Sequence, residues 1–168
     1  MRISAHGLGL DVPSGWEGRI RRQQLPSDAA TSDRPQLRAH AVLHAANFPL
    51  LEERGDFGSG AVETMQSSHA FVALVEYHSS SVGNALFGSG VGMPRELSTE
   101  DFSPRQLQRT IAGQAGIQRF FVEAGRPFCL YVVLGSMADR ARVVPRVNAV
   151  LPAITIAEPV PPEWLEAM

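Results

Sequence analysis

The side chains able to do chemistry are few and scattered. His40 and His44 fall where apolar and polar residues alternate, so a strand would put both on one face. At roughly 3.3 Å per residue they would stand about 13 Å apart, too far to share a metal ion. Glu76 and His78 would share a face of a second strand. Were the two strands neighbours, His40, His44, Glu76 and His78 would form a polar patch. A hydrolase-type or metal-dependent enzyme using His40, Glu76 and His78 is one reading of it. A zinc-like site needs three of them converging at about 2.0–2.2 Å. The competing reading leaves these side chains at strand ends or against covering elements, with their hydrogen bonds satisfied.

Other constellations are weaker. The single cysteine, Cys129, lies in the apolar run Pro127-Phe128-Cys129-Leu130-Tyr131, where a thiol packs as a small hydrophobe. One cysteine allows no internal disulfide and no cysteine-based zinc site. Every one of the 15 basic residues is arginine, which removes Schiff-base chemistry and the P-loop lysine. Asp56-Phe57-Gly58 is therefore a chance match to the kinase magnesium motif. Phe87-Gly88-Ser89-Gly90-Val91-Gly92 lacks the spacing of a nucleophile elbow, and lacks the lysine and strand–helix junction of a phosphate loop. No catalytic residue, metal or cofactor is assigned on these grounds. Arg140, Arg142 and Arg146 make a small basic surface, with Glu158, Glu163 and Glu166 of the acidic tail as a partner for it.

The elements that must position these groups fit one chain of 168 residues, 44% apolar and 19% charged. Residues 1–156 are read as a single α+β domain and 157–168 as a proline-rich acidic tail. Residues 3–12 read as one strand with a glycine bulge, and 17–24 as a strand pairing back on it. Residues 36–46 alternate with a period of two, which signals a strand with one face on the core. Residues 61–68 suit a short helix, 70–78 a central strand buried on both faces, and 105–111 a strand. Ile117–Glu123 and Phe128–Leu134 form a hairpin, residues 139–151 carry the helical stripe Ala141, Val144, Val147 and Leu151 with a regular start as late as Val143 to put Pro145 in the first turn, and Ile154–Ile156 closes the domain. Trp16, Phe71, Leu74, Val75, Phe120, Phe128, Leu130, Val132, Val147 and Leu151 are the expected core. The order implies a mainly antiparallel sheet with helices packed on it, a three-layer α/β/α sandwich.

Two end segments carry a resemblance. Gly9-Leu10-Asp11-Val12-Pro13-Ser14-Gly15-Trp16 pairs a short strand with a Pro-x-Gly-Trp turn. Gly125-Arg126-Pro127-Phe128 opens an apolar strand that leads to a helix and Leu151-Pro152-Ala153-Ile154. Together they resemble the PsbP-like superfamily, which includes extrinsic photosystem proteins, an import factor that binds a small GTPase, and chaperones for secreted bacterial toxins. The resemblance implies a sandwich fold and mostly non-enzymatic binding roles, and it supplies no catalytic residue.

The formal charge of −2 argues against nucleic acid as a partner, and no apolar run is long enough to span a membrane. With no apolar signal region in Met1–Gly7, the expected compartment is the cytoplasm. The arginine bias points to a GC-rich genome. The leading reading is a protein-binding module: an adaptor, a chaperone or a structural component of a larger complex, working with a protein partner or as a homo-oligomer. A small-molecule-binding domain is the alternative. The expected contact residues are Trp164, Leu165 and Met168 in the tail, with Arg140, Arg142 and Arg146.

Overall fold

A computed structural model describes residues 1–22 and 40–159. The tail anchors Trp164, Leu165 and Met168 lie outside the described residues, as do Glu163 and Glu166. Strands β1 (Arg2–Ala5) and β2 (Leu8–Asp11) form a hairpin. His6 and Gly7 close it with φ of 53° and 77°, the left-handed pair whose twist suits a two-residue hairpin. The single bulged strand expected here is therefore two. Strand β3 (Glu17–Arg22) does not pair back on it. Ile3, Leu10 and Val12 fill the space where a Gly18 side chain would stand, so β3 lies over the hairpin face to face.

β3 instead edges a five-stranded antiparallel sheet in the order β3-β4-β5-β7-β6. Its other strands are β4 (Ala41–Ala46), β5 (Ala70–Glu76), β6 (Ala115–Glu123) and β7 (Arg126–Leu134). β8 (Ile154–Ile156) joins β2 to complete a three-stranded sheet, β1-β2-β8. With helix α1 (Arg140–Val150), the molecule is a mixed α+β fold, mostly antiparallel sheet.

The large sheet is buried on both faces. On one, Leu43, Leu74, Leu130 and Phe128 meet Val143, Val147 and Val150 of α1 and Leu8, Leu10 and Ile154 of the small sheet. On the other, Val42, Phe71, Val75 and Tyr131 meet Phe48, Val62 and Leu107 from irregular segments. The helix layer expected on both faces is described on one.

Four local expectations need correction. β4 has no solvent face, because irregular segments cover the side that carries Val42 and His44. The helix expected over 61–68 is a single 3₁₀ turn, Val62–Thr64. The strand expected over 105–111 is a 3₁₀ turn, Pro104–Gln106, followed by coil. Pro104 favours the first helical position, the Ser103 hydroxyl accepts from Arg105 N, and Gln108 N donates to the Tyr131 hydroxyl at 2.8 Å instead of to a strand. α1 begins at Arg140, not Val143. Asp139 O accepts from Arg142 N and Val143 N, and Pro145 is tolerated in the second turn because Ala141, whose carbonyl loses its donor, is exposed. Of the expected core, Trp16 and Phe120 are only half-buried. Phe121 takes the core position, stacked 5.7 Å from Phe128, since β6 turns odd residues toward α1's side.

Candidate functional site

The strand ends bring three of the four expected polar residues together. His40 precedes β4, and its ring meets that of His78 edge-on, with centroids 5.7 Å apart. Glu76 ends β5 on the α1 side of the sheet. Its Oε2 accepts from Arg126 Nε at 2.8 Å, and its Oε1 from Arg126 Nη2 and Ala41 N, both at 3.1 Å. Burial pushes the Glu76 carboxyl up, but Arg126 and the Ala41 N–H outweigh it and hold it below the usual range. His78 shares no strand face with Glu76, because β5 has already ended. Its Nδ1 accepts from Ser80 N at 3.0 Å and lies 2.8 Å from the Ser80 hydroxyl, capping the turn Ser79–Gly83. Burial lowers the His40 pKa, with Glu76 acting against it.

Arg126 is the centre of this cluster, and its role was not foreseen. Beyond Glu76, its Nη1 donates to Gly7 O at 3.1 Å and Ala157 O at 2.9 Å, and its Nη2 to His6 O at 3.0 Å. All five guanidinium N–H groups are thus used. The pair joins β5 and β7 to the β1–β2 turn and to the end of β8. Gly7 is required there for a second reason: a side chain would collide with Arg126 Nη1. The cluster is built as a clasp, with its carboxylate already triply bonded.

His44 is elsewhere, on the irregular face. It is 1% exposed and tilted against Phe71. Arg54 Nε donates to its Nδ1 at 2.7 Å, so Nε2 carries the proton and donates to Asp56 O at 2.8 Å. Burial holds its pKa down at about 3, aided by Arg54 and Arg21. Arg21 Nη2 donates to Arg54 O at 2.7 Å and to Asp56 Oδ1 at 3.0 Å. His44 is thus a neutral fastener for residues 54–56. Asp56-Phe57-Gly58 serves packing: Gly58 has φ 91°, and a Cβ there would lie 2.6 Å from the Phe71 ring.

Burial pushes the Cys129 thiol up to about 12, which leaves no thiolate at neutral pH. Ser89 bonds locally, its hydroxyl donating to Val91 O at 3.1 Å. Among the described residues no group of three or more His, Cys, Asp or Glu side chains is placed to hold a metal ion. No helix there is long and apolar enough to cross a membrane. On α1, Arg140 donates to Met137 O at 2.9 Å and Arg142 lies 3.7 Å from Asp139. Arg142 and Arg146 are exposed, one turn apart.

The exposed apolar side chains are concentrated instead. Of the five large exposed hydrophobics among the described residues, Val82 (39%), Leu86 (54%) and Val91 (68%) lie within residues 79–92. That segment is built from two 3₁₀ turns, Ser79–Gly83 and Ala85–Phe87. The Asn84 side chain accepts from Leu86 N at 2.9 Å and starts the second turn. Phe87 is buried, 5.3 Å from the Tyr77 ring and 5.6 Å from that of Phe120. At the far end Met93 is buried, and its N–H donates to Glu123 Oε1 at 3.0 Å. The segment is therefore pinned at both ends while Leu86 and Val91 face solvent. The sequence indicates a loop-rich stretch with one short helical turn near Asn84-Ala85-Leu86, which the turn Ala85–Phe87 matches, but no docking surface, because three apolar residues among Ser, Gly and Asn form no periodic stripe.

No family model, curated protein or solved structure matches the chain.

Proposed function

We propose that this chain is a non-catalytic protein-binding module, an adaptor, chaperone or assembly component that docks a protein partner on residues 79–92. The observation that carries the reading is the pinned segment with Val82, Leu86 and Val91 turned to solvent. Burying such a side chain contributes about 1.5–3 kcal/mol, and a segment already held in shape loses little entropy on docking. The groups best suited to catalysis have other work: Glu76 holds Arg126, and His44 holds residues 54–56. Arg142 and Arg146 supply a second, charged contact in this reading.

The likeness of both end segments to the PsbP-like superfamily favours binding over catalysis. The α/β/α sandwich and the cytoplasmic setting belong to the same proposal. As a test, wild type and a V82S/L86S/V91S variant serve as baits in native lysate. The partner retained by wild type is identified, purified and titrated against both. A loss of about tenfold or more in affinity is expected for the variant. Equal affinity would refute the reading.

A further inference from the structure

A groove of about 290 Å³ opens on the irregular face, between residues 56–63 and Gln108 and Arg109. Its floor is apolar and aromatic: Tyr131 is 2% exposed, Val62 is buried, and the Phe57 ring stands edge-on to Tyr131 at 5.6 Å. Its charged rim is already matched. Asp56 is held by Arg21 at 3.0 Å, and Glu63 by Gly60 N at 2.6 Å and Arg109 at 3.5 Å.

One polar group is left open. The Tyr131 hydroxyl accepts from Gln108 N at 2.8 Å, while its own hydrogen meets no acceptor among the described residues. Burial raises the Tyr131 pKa, so that hydrogen is present at neutral pH. Tyr131 lines the groove, so an oxygen acceptor seated there can take this hydrogen. The volume is near the small end of ligand pockets, and an aromatic floor favours stacked or edge-on rings.

We infer that this groove binds a neutral, planar aromatic molecule of one or two rings that carries an oxygen acceptor, such as a carbonyl, for the Tyr131 hydroxyl hydrogen. Neutrality follows from the matched rim, since a charged ligand would have to break the Asp56 or Glu63 pairing. This site is separate from the protein-docking segment 79–92.

The test uses coumarin as the probe and naphthalene as its acceptor-free counterpart, titrated into isotope-labelled protein by NMR. Shifts confined to residues 56–63, 107–109 and 131 are expected, with coumarin bound about tenfold more tightly than naphthalene. Tyr131→Phe should erase that preference and keep naphthalene binding. Gln108→Trp, at an exposed rim position that spares Tyr131, should block both probes and covers the case of a Tyr131→Phe that does not fold. No shift up to the solubility limit, equal affinity of the two probes for wild type, or unchanged binding by Gln108→Trp would each overturn the assignment.

Discussion

The two faces of the five-stranded sheet are covered by different means. On one, α1 and the small sheet bring regular rows of Leu and Val onto Leu43, Leu74 and Leu130. On the other, residues 48–65 and 107–111 cover Phe71 and Tyr131 with almost no regular structure. Irregular chain has unpaired backbone groups, and side chains must hold it: His44, Arg54 and Arg21 do so through the carbonyls of Leu51, Arg54 and Asp56. The regular face is held by apolar packing and by the Arg126 clasp at its edge. Apolar packing therefore carries the first face, while the groove and the His44 fastener belong to the second.

The largest effect should come from the clasp. Arg126→Met leaves Glu76 buried without its cation, and the loss should be about 3–5 kcal/mol in urea unfolding. A loss below about 1 kcal/mol would mean that the small sheet is held by packing alone. Leu74→Ala, under the regular face, should cost about 2–5 kcal/mol through transfer and cavity terms. An unchanged urea midpoint would remove β5 from the centre of the core.

The irregular face should respond to acid. His44 has an ordinary pKa of 6.5 when unfolded and about 3 when folded. Between those values the unfolded chain binds a proton that the folded chain refuses. The His44 contribution is intact above pH 6.5 and falls by at most about 1.4 kcal/mol per pH unit below it. His40 acts in the same direction. The pH slope of stability between 6 and 4 should therefore be shallower in His44→Gln than in wild type. Equal slopes would show that His44 titrates normally, and that the irregular cover is looser than its hydrogen bonds imply.

Much of the regular face was legible. The continuous apolar run from Ala70 to Val75, the hairpin around Ala124-Gly125 and the stripe Ala141, Val144, Val147 and Leu151 each announce an element through period and composition, although Ala141 is exposed and Val143 and Val150 join the buried face of α1. The irregular face was not, because a 3₁₀ turn and a side-chain fastener leave no period. His44 takes the second of its two expected places, against a covering element with its hydrogen bonds satisfied, but nothing in the sequence names Arg54 and Asp56 as the residues that fold over it. Glu76, His40 and His78 do come together. Arg126, the residue that decides what Glu76 does, was hidden in a motif read only as a turn.

The smallest stability effect is expected in segment 79–92. Leu86→Ser and Val91→Ser should each change the urea midpoint by less than about 0.5 kcal/mol equivalent, since both side chains already face water. A larger loss would make them part of the cover of the sheet and not a docking surface.

Hydrogen exchange of the chain, alone and bound to the partner recovered by native capture, tests the central claim most directly. The account predicts new protection concentrated in residues 79–92, with the exchange of residues 40–46 and 74–78 unchanged. Protection centred on His40, Glu76 and His78, with 79–92 exchanging as before, would contradict it.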